Sequence, residues 1–177
     1  MMVFSDEGPR NELISKHLND IANELKVSLN VKHQVIKLGL DTLTTEEIEK
    51  QIEGQQFIIL ATYNLKENPM NAQRIIDVAN NKKIPLVVIS TRNPYDIAYL
   101  SGVKANIAIY GITGFDVTNN VRNSLETNIR SGLRTLFQGP AGKQDILAKP
   151  QGKLPVDIKT PDANKVLYTR GYGLTIL

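Results

Sequence analysis

Cysteine is missing from all 177 residues. That absence rules out disulfide frameworks, thiolate zinc sites and cysteine nucleophiles together. Tryptophan is missing as well, and histidine occurs only as His17 and His33. Two imidazoles are too few for an all-protein zinc site built on histidine. Aromatics make up 6% of the chain and do not interleave with basic residues, so no stacking platform for single-stranded nucleic acid is encoded. No apolar run approaches the roughly 20 residues that span a bilayer. The N-terminus shows no charged region leading into an apolar signal core. Dense Lys/Arg runs are absent too. The net charge is +3, and from Val121 onward nine Lys/Arg face four Asp/Glu. So thin an excess reads as scattered solvated side chains before it reads as an acid-binding surface. Neither a nucleic-acid partner nor a membrane span is expected.

What is present is an alternation of buried strands and amphipathic helices over a single domain, residues 1–177. Met1 to Phe4 is a short apolar run, followed by "SDEGP", where Ser5 or Asp6 can cap and Pro9 suits a first helical turn. A chain that opens inside a strand reads as cut from something longer. Leu13, Ile14, His17, Leu18, Ile21 and Leu25 then share a helical face. "HQVIKLG" reads as a second strand ending at Gly39, and His33 as part of the connection before it. Thr44 and Glu47 have capping-box spacing and open a helix that Gly54 stops. "FIILAT" and "PLVVIS" are unbroken apolar runs, the mark of strands covered on both faces. Between them, Asn68-Pro69 starts a helix turning Ala72, Ile75, Ile76 and Ala79 inward. "ANIAIYG" predicts another strand, and Leu125, Ile129, Leu133 and Leu136 a long helix that Gly139-Pro140 ends. Such alternation predicts right-handed crossovers. The fold class expected is α/β, a three-layer αβα sandwich on about five mostly parallel strands in a flavodoxin-like arrangement. Residues 138–153, "QGPAGKQDILAKPQGK", lack periodicity and read as a surface loop.

Open parallel sheets take ligands beyond the carboxyl ends of their strands. The loop after the first strand is neither G-x-G-x-x-G nor a Walker loop, which disfavours dinucleotide binding and phosphoryl transfer. A phospho-acceptor receiver needs an aspartate where this chain has Ala61-Thr62-Tyr63. A flavodoxin needs a Ser/Thr-rich phosphate loop where only Ser5 stands. The loop "STRNPYD", Ser90 to Asp96, is richer. Arg92, Asn93, Tyr95 and Asp96 bring a guanidinium, an amide, a phenol and a carboxylate to one strand end, a set able to bind sugar hydroxyls. A plainer account has Pro94 fixing the turn, Asp96 capping the next helix and Arg92 pairing with a carboxylate. Asp96, Asp116, Glu126 and Asp157 offer carboxylates, but spacing alone sets no two of them across a glycosidic bond. Ser90 and Ser101 lack an evident histidine base, since His17 lies on the first helix face. No catalytic residue is assigned.

"GKLPVDI", Gly152 to Ile158, puts a glycine and a proline around a short apolar run, as a central strand would not. "STRNPYD" after a buried strand, "ANIAIYG", "LRTLFQG", "GKLPVDI" and "LYTRGYGL" occur in that order. The series, strongest from Leu86 to Leu177, resembles the C-terminal α/β sandwich domain of family 3 glycoside hydrolases, in the bacterial β-N-acetylhexosaminidase (β-N-acetylglucosaminidase) branch. The "GKQDILAKPQ" stretch is longer than the connector usual there. The resemblance implies a non-catalytic domain, partnered by an N-terminal TIM barrel that carries the aspartate nucleophile and a histidine acid/base. It implies a pro-stiffened boundary segment at Pro155 and a closing segment packed back by Tyr168, Tyr172 and Gly173. The implied substrate is an amino-sugar glycan with terminal β-N-acetylglucosamine, as in peptidoglycan fragments, with no metal or organic cofactor. Glu126 matches poorly the glutamate that a related β-glucosidase sandwich lends. Enzymes of this kind are often exported in Gram-positive bacteria, while the sequence itself leaves location open. Two other readings stand beside it: a stand-alone glycan-binding or self-associating domain, and a flavodoxin-like regulator.

Overall fold

The structure, a computed structural model, describes residues 1–5, 8–24, 28, 30–35, 43–66, 68–92, 94–110, 129–130, 132–133 and 153–173. Strand β1 (Met2–Ser5) leads to α1 (Gly8–Glu24), β2 (Lys32–Val35), α2 (Thr45–Ile52) and β3 (Ile58–Thr62). Helix α3 (Met70–Asn81), β4 (Leu86–Ser90), a 3₁₀ helix (Pro94–Tyr99) and β5 (Asn106–Ala108) follow. The C-terminal part adds β6 (Ile158–Lys159) and β7 (Val166–Tyr168). The first five strands form one sheet in the order β2-β1-β3-β4-β5, with every pairing parallel. The fold is therefore the expected α/β sandwich, and its strand order is the flavodoxin-like one.

Alternation along the strands splits the core into two layers. Met2, Phe4, Ile58, Leu60 and Val88 face Ile48 and Ile52 of α2 and Ala72, Ile75, Ile76 and Ala79 of α3. Val3, Ile59, Ala61, Val87 and Ile89 face Ile14, Leu18 and Ile21 of α1, with Ile129 and Leu133. Residues covered on both sides have no call for polar alternation, which is why β3 and β4 read as unbroken apolar runs. Each Val, Leu, Ile, Phe or Met side chain among these contributes about 1.5–3 kcal/mol when buried.

Local chemistry sets the helix ends. The Thr44 hydroxyl accepts from the Glu47 amide at 3.2 Å, and the Glu47 carboxylate accepts from the Thr44 amide at 2.9 Å. This capping box satisfies two of the amides that α2 would otherwise leave open. Just past α2, Gly54 takes φ +71°, the left-handed turn that closes a helix. Asn68 accepts from the Met70 amide at 3.1 Å, immediately ahead of α3. Pro9 falls in the first turn of α1.

Some boundaries differ from expectation. β2 spans Lys32–Val35, and His33, read as part of a connection, pairs with Val3 inside the sheet. Gly39 and Leu25 lie outside the described residues, as do Asp6, Leu125, Leu136, Gly139-Pro140 and most of the 138–153 loop. Of the long helix, residues 129–130 and 132–133 are described, and they are helical. Arg130 pairs there with Glu24 of α1. A Cβ added at Gly132 would come within 2.6 Å of Ile109 Cγ2. Only glycine lets this helix approach the sheet so closely.

"GKLPVDI" runs into the two-stranded antiparallel β6-β7 sheet, with Pro155 exposed before it. Leu154 donates to Tyr172 O at 2.9 Å and accepts from the Gly171 amide at 2.8 Å. The Tyr168 and Tyr172 rings meet at a 44° tilt with centroids 5.1 Å apart. β6 lies against the 3₁₀ helix, and Ile158 is buried there.

Candidate functional site

The register sets the ends of three strands level, pairing Thr62 with Ser90 and Ser90 with Ala108. One or two residues further on, each strand delivers side chains to the carboxyl edge of the sheet: Tyr63 from β3, Arg92 from β4, Tyr110 from β5. The 3₁₀ helix adds Tyr95 and Asp96.

Two hydroxyls near the rim are spent inward. Thr91 Oγ1 donates to Thr62 O at 2.6 Å, and the Thr91 amide donates to the same oxygen at 3.0 Å. Ser90 Oγ donates to Asn106 Oδ1 at 3.0 Å rather than to any histidine. Ser90 and Thr91 are fully buried, and these bonds fasten β4 to its neighbours.

Asp96 is only 2% exposed, and its Oδ1 accepts from the Leu65 amide at 3.0 Å. It was expected to face ligand or to cap the helix that follows. Instead its carboxylate pins the turn after β3 to the 3₁₀ helix. Arg92 is exposed, but its partner is not the carboxylate of the plainer account. Its guanidinium lies over the Tyr63 ring, 5.3 Å from the centroid, and Nη1 donates to Tyr63 Oη at 2.9 Å. Tyr95 is 43% exposed and Tyr110 37%. Burial pushes the Tyr110 phenol above its ordinary pKa, and nearby Tyr95 adds to the shift. Asn93, Asp116 and Glu126 lie outside the described residues. Asp157 is 61 residues from Asp96 in sequence and accepts from the Arg170 amide at 2.6 Å in the hairpin.

Arg92 and Tyr95 thus share the edge with two residues that sequence reasoning passed over, Tyr63 and Tyr110. Tyr63 directly follows the predicted strand "FIILAT", and Tyr110 lies within the predicted strand "ANIAIYG", two residues past the observed end of β5. Inspecting every strand end, not only the fourth, would have found them.

No protein-family model matches this chain, and no curated protein matches it.

Other places offer less. His17 on α1 is buried, its Nδ1 3.9 Å from Asp20. Among the described residues no group of His, Asp and Glu is arranged to hold a metal ion. No helix among them is long and apolar enough to cross a membrane. A groove of about 470 Å³ opens at the opposite end of the strands, floored by Ile76, Ile84 and Leu86 and edged by Lys83 and Lys104. It lies away from the polar strand ends.

Proposed function

We propose that this chain is the non-catalytic C-terminal sandwich of a family 3 glycoside hydrolase of the β-N-acetylhexosaminidase type. Its partner is a TIM barrel on the same enzyme, which supplies the nucleophile and the acid/base. The whole enzyme removes terminal β-linked N-acetylglucosamine from a glycan such as a peptidoglycan fragment. The sandwich steadies the barrel and brings the 90–96 loop to the border of the cleft. Arg92, Tyr95 and Asn93 meet substrate in this reading, and Asp96 holds the loop in place from beneath.

One observation carries the proposal. The segments bearing the resemblance lie some 60 residues apart in sequence, yet they touch: β6, from "GKLPVDI", packs on the 3₁₀ helix of "STRNPYD". That contact is compatible with the closing arrangement the resemblance implies, and so it supports the reading. The helices on both faces of a parallel sheet also suit the sandwich architecture.

The reading frame upstream of Met1 and a glycosidase assay test the proposal together. That frame is expected to encode a barrel. The joined protein should hydrolyse an aryl β-N-acetylglucosaminide, while residues 1–177 alone should not. Turnover by the 177-residue chain alone, or an upstream frame with no barrel, would sink the proposal.

A further inference from the structure

We infer that the carboxyl edge bounded by Tyr63, Arg92, Tyr95 and Tyr110 binds an anionic sugar, a pyranose carrying a carboxylate or phosphate. Neighbouring strands stand about 4.8 Å apart. From β3 to β5 the edge is therefore roughly 10 Å wide, room for one or two sugar rings.

Arg92 supplies the charge recognition. A guanidinium has five N–H donors, and the hydrogen bond it makes here goes to a neutral phenol. Among the described residues no carboxylate pairs with it. The nearest acid in sequence, Asp96, is buried and holds the Leu65 amide. The contact with Tyr63, over the ring and through its hydroxyl, holds the guanidinium without neutralising it. A cation held still and left unpaired has already met part of the ordering cost of binding an anion. Its planar fork suits carboxylate or phosphate oxygens two at a time.

Tyr95 and Tyr110 supply the ring recognition. Both residues are partly exposed, and a phenol combines an apolar ring with a hydroxyl, the pairing that a pyranose presents in return. The backbone adds an independent sign. Asn64 and Tyr110 take φ +52° and +50°, directly beyond β3 and β5. A left-handed tyrosine is costly, and such strain gathers where a side chain must be aimed. The inference rests on the reading of the 90–96 loop as a cleft border, but not on the barrel.

The test is a calorimetric titration of the 177-residue chain at low salt with methyl β-glucuronide, a hexose phosphate and neutral methyl β-glucoside. At least one anionic sugar should bind tenfold or more tightly than the glucoside. Which of the two it is identifies the anion. Arg92→Gln should erase that preference, and Arg92→Lys should restore only part of it. Tyr110→Gly keeps the backbone turn while removing the ring, and should weaken all three ligands alike. Circular dichroism confirms that each variant is folded. Equal affinity for charged and neutral sugars would overturn the inference, as would a preference surviving Arg92→Gln or no binding at millimolar ligand. None of these results depends on hydrolysis by the full-length enzyme, so the two proposals fail separately.

Discussion

In β3 every residue from Ile58 to Thr62 is buried, whereas between Lys153 and Gly173 only Ile158 is. The sheet draws its stability from apolar area removed from water on both faces. The hairpin draws on hydrogen bonds within itself and on one aliphatic anchor. A two-stranded ribbon alone is marginal in water. The hairpin is thus expected to open locally at a lower free energy than the sheet.

The largest effect should come from the centre. Leu60→Ala empties a fully buried site and is expected to cost about 2–5 kcal/mol in denaturant unfolding. A loss far smaller would mean that the sheet does not dominate stability. Gly132→Ala forces a Cβ toward Ile109 and should cost about 1–3 kcal/mol by the same measurement. Indifference there would break the close packing of helix on sheet.

Ile158→Ala sharpens the contrast. If the hairpin opens on its own, global stability should fall by less than about 1 kcal/mol, well under the usual cost of emptying a buried site. Amide exchange at Leu154, Thr160 and Gly171 should nevertheless quicken tenfold or more, with Ile58 and Leu60 unchanged. A loss as large as that of Leu60→Ala would show one cooperative unit.

Smallest is a pH effect in the hairpin turn. The Thr160 hydroxyl, then Asn164, hold the Asp162 carboxyl below its ordinary value of 3.8. A depressed folded-state pKa stabilises the turn above the unfolded value, and the contribution disappears as pH falls through the folded one. A carbon-13 titration should put the Asp162 midpoint below 3.8, and Thr160→Val should raise it. A midpoint unmoved by that substitution would remove the hydroxyl as the cause.

The layered core was legible because it follows from short-range pattern. "FIILAT" and "PLVVIS" say that both faces are covered, and Thr44 with Glu47 states a helix start within four residues. The site was half legible. Arg92 and Tyr95 lie in one loop and could be read together, but their neighbours Tyr63 and Tyr110 arrive through strand register. Asp96 was misjudged for the same reason, since its partner is the Leu65 amide, 31 residues away. The 3₁₀ helix is too short to show a period, and β6 and β7 have only two and three residues. Expectation there extended no further than a boundary segment at Pro155 and a closing segment packed back by Tyr168, Tyr172 and Gly173.

All-parallel pairing also shapes how the molecule must be made. No strand of the main sheet can close on its neighbour through a tight turn, because parallel partners need a crossover between them. Met2 meets Lys32 on one side and Ile58 on the other. During synthesis the greasy segment holding Val3 and Phe4 has neither companion until those later stretches leave the ribosome. That interval is when a holdase chaperone would find the most to grip.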